Sequence, residues 1–326
     1  MNPLMNPPMT LPMTPPMTPF APPTPALLRR RLLGRALLMP LLPLLPLSPL
    51  IALAGCAQPW PAVPGGPGSA SARSRLQQSA EGHGLAAWRQ LQSVSLAFAG
   101  FWSPQGPAVA AAAQAVQARW LPDQRVLALG WPTAAGPQQL WRRTPGADLQ
   151  LWRDHAPVAD AVERQAAALL ADLHRLLWAG PMAIADTSDT SDTAAAVNWA
   201  EPETLHGLRC DHLHLALAPG LGFALADRLS LFIDREQGLL RRLRVSLSGL
   251  GLGLGTAVQR QAEVDLFDHR RLFGVAWPTR FEARSPRAGA WQLVGLEVNR
   301  GFSADDLAGA VWRGTAAGAV RALPAI

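Results

Sequence analysis

The sequence has no lysine, no tyrosine and only two cysteines, Cys56 and Cys210. Without lysine the chain has no amine for Schiff-base chemistry and no S-x-x-K arrangement. Two cysteines, one of which directly follows a targeting segment, do not make a disulfide framework. The motifs G-x-S-x-G and H-E-x-x-H are also missing from the sequence. These absences predict a protein that is not an enzyme and needs no cofactor.

Residues 1–55 have the composition of a targeting segment. A leader of Met, Pro and Thr comes first, and Arg29, Arg30, Arg31 and Arg35 precede an uncharged apolar run over residues 36–55. Prolines recur at every third position of residues 40–49, and each removes a backbone donor, which disfavours a membrane-spanning helix. The order of basic, apolar and small residues is typical of a secretory signal.

This segment ends in the stretch LAGC, which closes on Cys56. The stretch resembles the lipobox of bacterial lipoproteins, in which the signal is cut before the cysteine and the cysteine is acylated. The resemblance implies a lipid anchor at Cys56, since acyl burial contributes ~0.8 kcal/mol per CH2; the alternative is an ordinary structural cysteine. Ala57 is not the aspartate of an inner-membrane retention signal, so the resemblance implies the outer membrane, with the domain facing the periplasm.

Removal of the signal changes the charge of the protein. The whole chain has a formal charge of +6 from 29 arginines and 23 acidic residues, and four of the arginines lie in residues 1–55. The remainder therefore has 25 basic and 23 acidic residues, a net charge of +2. A nucleic-acid surface requires a clustered excess of basic residues, so the sequence predicts a membrane partner and no nucleic-acid partner.

Residues 56–81 are rich in Pro, Gly, Ser and Gln and show no periodicity, which predicts a lipidated N-terminus followed by a flexible tether. Residues 82–326 then form a single domain. One long amphipathic helix is predicted within residues 157–180, ended by Gly180 and Pro181. Short apolar or alternating runs separated by turn residues predict strands at 95–102, 116–120, 125–131, 138–143, 148–154, 208–217, 228–234, 239–248, 257–268, 273–284 and 291–299.

The absence of βαβ alternation favours an antiparallel sheet over a parallel one. We therefore expect an α+β fold that is mainly antiparallel β. It is an incomplete, half-open barrel of about 10–11 strands, with the long helix and short helices as a lid.

The sequence has twelve tryptophans, several of them at the ends of the first predicted strands. Most are expected in core packing, but some are suited to line an apolar cavity for a ligand. The candidate ligand-binding residues are Trp102, Trp120, Leu127, Leu129, Trp131, Trp141 and Trp152.

Two further patterns have both a structural and a functional interpretation. Cys210, His212 and His214 share one face of a predicted strand and are candidate zinc ligands. Residues two apart on a strand are ~6.6 Å apart, so only two neighbours among these three residues can bind the same ion. The simpler interpretation is a strand whose histidines lie on its polar face. Leu250, Leu252 and Leu254 alternate with glycines in a bent hairpin, whose tip is a candidate membrane contact.

The C-terminal half resembles the family of the lipoprotein carrier LolA and its outer-membrane receptor LolB. The resemblance rests on AEVDLFDHRRLFGVAWPTRFEA, with Asp268, Arg270, Gly274 and Pro278, and on WQLVGLEVNRGFSADDL, with Asn299. The family implies an incomplete antiparallel barrel with a helical lid and a hydrophobic cavity for acyl chains.

Together these features predict an outer-membrane lipoprotein that binds a lipid, an acyl chain or a lipidated partner. The alternatives are a metal-dependent envelope enzyme that uses Cys210, His212 and His214, and a structural envelope protein with a filled core.

Overall fold

The computed structural model of the protein describes residues 68–104, 115–133, 135–144, 146, 148–187, 196–248, 261–286, 288–313 and 323. The first part of the chain forms two helices and six strands, α1 (Ala70–His83), α2 (Leu85–Trp88), β1 (Val94–Ala99), β2 (Ala115–Leu121), β3 (Val126–Thr133), β4 (Gly136–Arg143), β5 (Leu149–Arg153) and β6 (Ala156–Pro157). The long helix α3 (Ala161–Thr187) follows.

The second part of the chain returns to strands. These are β7 (Asn198–Leu205), β8 (Leu208–Leu217), β9 (Asp227–Asp234), β10 (Leu240–Ser246), β11 (Gln261–Phe267), β12 (Arg270–Leu272), β13 (Val275–Trp277), β14 (Arg280–Ser285) and β15 (Gly289–Val298), and the helix α4 (Ala304–Leu307) comes last.

Thirteen strands form one sheet in the order β6-β5-β4-β3-β2-β1-β15-β14-β11-β10-β9-β8-β7, and β12 pairs with β13. Every pairing in the sheet is antiparallel, and its two edge strands do not pair with each other. This open antiparallel sheet confirms the predicted fold class. It has more strands than the 10–11 expected, partly because β7, with the sequence NWAEPETL, is a polar edge strand without an alternating pattern.

The main core lies on one face of this sheet, against α3 and α1. Strand β3 shows the alternation that creates this face: Leu127 and Leu129 belong to the main core, whereas Val126 and Ala128 belong to a smaller cluster on the other face. None of the described helices combines the length and the apolar character that a bilayer crossing requires.

Helix α1 corrects the predicted tether. Residues 70–83 are helical and not flexible, and Ala72, Leu76 and Ala80 on one side of the helix belong to the main core. Ser69 caps the helix by accepting a hydrogen bond from the backbone N–H of Ala72. Because the other residues of α1 are mostly polar, the composition of this segment does not reveal its narrow apolar stripe. Residues 56–67 lie outside the described part of the chain.

Helix α3 differs from its prediction at both ends. It begins at Ala161, after Pro157 has already paired in β6, and Asp160 accepts the backbone N–H of Glu163 at 2.8 Å. At Gly180 the backbone leaves the helical region, with φ 49° and ψ −129°, as the predicted stop requires. The helix resumes after this kink because Pro181 is well suited to a first helical turn.

Candidate functional site

An aromatic cluster lies between α3 and the middle of the sheet. Its members lie on α3, on four strands and directly after β1, and they are Phe98, Phe101, Trp102, Trp131, His174, Trp178, Phe281 and Trp291. Trp291 stacks between two of them, with ring centroids 5.7 Å from Trp102 and 5.1 Å from Phe281. This aromatic cluster is the largest set of rings in direct contact within the described residues.

His174 is the ionisable member of the aromatic cluster. Its ring is 1% exposed, and Nε2 lies 3.0 Å from the carbonyl oxygen of Trp102. Burial lowers the pKa of His174 to about 4, so the ring is neutral at neutral pH. Because the carbonyl can only accept, Nε2 carries the proton and Nδ1 is left as an acceptor.

Three polar atoms of this aromatic cluster are buried without a hydrogen-bond partner in the described part of the chain. They are Nδ1 of His174, Nε1 of Trp178 and Nε1 of Trp291. The His174 ring lies 5.5 Å from Trp178 and 5.7 Å from Trp291, measured between centroids. A buried polar group without a partner costs about 1–3 kcal/mol of stability. The acceptor of His174 and the two indole donors are therefore suited to bind a small polar group that enters between the rings.

The candidate cavity residues separate onto the two faces of the sheet. Trp102, Trp120, Leu127, Leu129 and Trp131 lie in the main core beside α3, and all five are buried. The structure shows no side chain of this set left open to solvent.

Trp141 and Trp152 are predicted to line the same cavity, and the structure contradicts their place on its wall. They lie on the opposite face of the sheet, where they pack with Phe302, Leu307 and Trp312 near α4. The strand pattern predicts which residues share a face within one strand, but it does not predict which face of a neighbouring strand meets the core.

A buried ion pair joins α3 to the sheet. Arg142 on β4 donates from Nε to Oδ1 of Asp172 at 3.0 Å and from Nη2 to Oδ2 at 2.8 Å. Asp172 Oδ2 also accepts the backbone N–H of Gly222 at 2.8 Å, and both charged side chains are at most 5% exposed. The sequence places Asp172 on the polar side of an amphipathic helix, whereas the structure buries it in a bidentate pair.

Cys210, His212 and His214 lie on one face of β8, as predicted, with Leu213 and Leu215 on the core face. The His212 ring stacks on Phe232 at 4.0 Å, and His214 Nδ1 lies 2.7 Å from Ser230 Oγ. Both histidines on this face of β8 are therefore already in contact with other side chains of the protein.

The zinc-site hypothesis for these three residues is not supported. Among the described residues, no group of three or more His, Cys, Asp or Glu side chains is placed to hold a metal ion. Burial lowers the pKa of His212 to about 3 and raises the pKa of Cys210 to about 11, so the thiol stays protonated. The His212 and His214 rings do approach each other, with centroids 4.3 Å apart, but the strand spacing keeps all three side chains from meeting at one ion.

The remaining candidate residues lie outside the described part of the chain. They are Cys56, proposed for lipidation, and Leu250, Leu252 and Leu254, proposed for membrane contact. These assignments stay predictions.

Sequence reasoning missed His174 and Trp178, although their i, i+4 spacing on the apolar side of α3 is a usable signal. Phe98, Phe281 and Trp291 have no such signal, because they reach the aromatic cluster from strands that are far apart in the sequence.

No family model and no curated protein matches the chain. Solved structures that this chain matches include a DUF1329 family protein from Desulfovibrio piger, with 11% identity over 72% of this chain and 94% of that one and a TM-score of 0.45. A LolA superfamily protein from Nitrosomonas europaea has 12% identity over 70% and 93%, with a TM-score of 0.43. A lipoprotein-sorting protein domain from Vibrio parahaemolyticus has 9% identity over 70% and 97%, with a TM-score of 0.39.

The second of these proteins carries the name of the family that the C-terminal motifs of this chain resemble. Since the TM-scores and identities are low, a function for this chain has to be argued from its own residues.

Proposed function

We propose that this protein binds an amphiphilic lipid, an acyl chain or a lipidated partner between α3 and the inner face of the sheet. The observation that carries the proposal is the group of unpartnered polar atoms of His174, Trp178 and Trp291 inside an aromatic interior. Ligand sites for such molecules are mostly apolar walls with a few placed polar groups that fix orientation.

The chemistry of the three atoms defines what part of a ligand they accept. The indole N–H groups of Trp178 and Trp291 are donors and suit an ester or amide carbonyl. Nδ1 of His174 is an acceptor and suits a hydroxyl or an amide N–H. Polar groups of this kind occur where acyl chains join their glycerol or peptide carrier, and the surrounding rings are suited to the chain itself.

Binding is a better account of this aromatic cluster than catalysis. His174 is its ionisable member, and the hydrogen bond to Trp102 together with a pKa of about 4 leaves it neutral and fixed in orientation. A general base requires a pKa near the working pH. A metal-dependent reaction at Cys210, His212 and His214 has no support from their geometry.

The proposed place of action is the outer membrane, with the domain held at the periplasmic surface by the lipid on Cys56. The sequence around Cys56 supports this part of the proposal, since basic, apolar and small residues precede the cysteine in the order of a lipoprotein signal.

Fluorescence quenching by a brominated acyl chain tests the proposed binding. The full-length chain with Cys56→Ser is titrated with brominated dodecanoate, whose bromine quenches indoles in contact with it. We expect saturable quenching, with a smaller amplitude in Trp178→Phe, which removes an indole of the aromatic cluster.

The matched control is Trp312→Phe, because Trp312 lies on the opposite face of the sheet. In this variant Trp178 is still present, so its contribution to the quenching amplitude should be unchanged. If quenching does not saturate in any variant, the aromatic cluster is a filled core and the protein has a structural role.

A further inference from the structure

Arg175 on helix α3 forms no ion pair with any of the described residues. Its neighbours from Ala167 to Trp178 are buried, whereas Arg175 is half-buried, with its Nε buried and without a hydrogen-bond partner among the described residues. An arginine stays charged in proteins, and the N–H donors of its planar guanidinium require hydrogen-bond acceptors. A charge placed in this way is costly unless an anion meets it.

The nearest acid of the helix does not supply that anion. Asp172, one turn before Arg175, accepts two hydrogen bonds from Arg142 and one from the backbone of Gly222. Burial lowers the pKa of Arg175, and the cations Arg142 and Arg125 lower it further, against the opposing effect of Asp172. Among the described residues, the charge of Arg175 is therefore offset only in part, by an Asp172 that is already bound to Arg142.

The position of Arg175 connects it to the aromatic cluster. It is adjacent to His174 in the sequence and three residues before Trp178, a spacing that places side chains about 5–6 Å apart on a helix surface. A molecule that reaches the guanidinium along α3 therefore has the rings of the aromatic cluster beside it.

We infer that Arg175 binds the acidic head group of an amphiphile whose chain lies against the aromatic cluster, so that the ligand is an anion such as a long-chain carboxylate or a phosphate monoester. This inference rests on the proposed function and specifies its ligand class. A carboxylate or phosphate accepts two parallel N–H groups of a guanidinium. A neutral hydroxyl accepts a single hydrogen bond from the guanidinium and leaves its charge without a counter-ion.

The test compares ligands that share one chain but differ in charge. Binding of dodecanoate and of dodecanol to the full-length Cys56→Ser chain is measured by calorimetry at neutral pH. We expect dodecanoate to bind about tenfold more tightly or better. Acetate and inorganic phosphate, which offer the charge without the chain, should bind far more weakly than dodecanoate.

Variants assign the preference to one residue. Arg175→Gln should remove the preference for dodecanoate over dodecanol. Arg164→Gln should retain it, since Arg164 lies on the same helix but already donates to the carbonyl of Leu149 at 2.8 Å. The comparison of the two ligands in the unsubstituted Arg175 protein does not depend on the stability of either variant.

The outcomes separate this inference from the function on which it rests. Equal affinities for dodecanoate and dodecanol, unchanged in Arg175→Gln, overturn the role of Arg175 and leave lipid binding in place. Binding of neither ligand overturns both proposals. Acetate or phosphate binding as tightly as dodecanoate overturns the amphiphile and indicates a site for small anions.

Discussion

His83 and His174 are both buried, and burial opposes their protonation. Nε2 of His83 accepts the backbone N–H of Leu240 at 2.9 Å, and Nδ1 lies 3.1 Å from the carbonyl oxygen of Ala276. The neutral tautomer satisfies both contacts, whereas a second proton removes the acceptor that Leu240 needs. Burial is the largest cause of the lowered pKa of each ring, which is about 4 in both.

These two histidines predict that the protein loses stability in mild acid. Each pKa is about 4 in the folded protein and 6.5 in the unfolded chain, so the unfolded chain binds more protons between these values. The free energy of unfolding has its full value above pH 6.5 and decreases as the pH falls toward 4. At pH 5 the decrease is about 2 kcal/mol per histidine. Urea unfolding at pH 7 and pH 5 measures the difference.

The variant His174→Gln should reduce this pH dependence by the share of one histidine, since glutamine does not titrate. A free energy of unfolding that is the same at both pH values would contradict the assignment.

Helix α3 shows how an element that is well predicted in the sequence acquires a different environment in the fold. Its apolar period is correctly read as a helix, and Gly180 interrupts it as expected. An amphipathic helix normally has a polar side in water. Here the sheet and α1 bury most of the helix, so the polar residues Asp172 and Arg175 need partners that the local sequence does not specify.

The ion pair of Arg142 and Asp172 predicts a large effect of one conservative substitution in α3. Asp172→Asn leaves Arg142 buried without its counter-ion, so we expect a loss of about 3–5 kcal/mol in the free energy of unfolding. Urea unfolding monitored by tryptophan fluorescence provides the measurement.

The matched control is Glu163→Gln, which breaks an ion pair of the same helix with Arg153. Both of those side chains are more than a third exposed, so the loss should be below about 1 kcal/mol. Similar losses in the two variants would show that the Arg142 pair does not anchor α3.

The two halves of the molecule meet in the middle of its sheet. Strand β1, the first along the chain, pairs with β15, the last, with Val94 opposite Val298 and Leu96 opposite Leu296. Strands β2–β6 extend the sheet on one side, and β14, β11 and β10–β7 extend it on the other. The aromatic cluster depends on this pairing, because Phe98 comes from β1 and Trp291 from β15.

The lipid anchor proposed at Cys56 concerns the whole molecule, because such an anchor would decide where the domain is placed. Cys56→Ser removes the thiol that the lipobox offers for acylation, so the variant should move from the membrane fraction to the soluble fraction of the envelope. Each acyl CH2 contributes ~0.8 kcal/mol to membrane partitioning. Fractionation followed by mass spectrometry of the N-terminus is the measurement, and an unacylated wild-type chain in the membrane fraction would rule out Cys56 as the anchor.

Short-range patterns in the chain were sufficient for the fold class. Alternating runs and turn residues predict most strands, and helical periodicity predicts α3. The pattern of Ser303 and Asp306 at the start of α4 is a local capping signal, and a capping box forms there. The tether prediction failed in α1 because only Ala72, Leu76 and Ala80 carry its contact with the core.

Most of the candidate site depended on contacts between residues that are far apart in the sequence. Side-chain alternation follows from the geometry of one strand, so it correctly placed Cys210, His212 and His214 on a common face. Local periodicity cannot specify the order of the thirteen strands in the sheet. This arrangement of the sheet places Trp141 and Trp152 in a cluster separate from the main core. For the same reason only the tertiary structure shows that Nε of Arg175 is buried without a partner among the described residues, near the aromatic cluster where the anionic ligand is proposed.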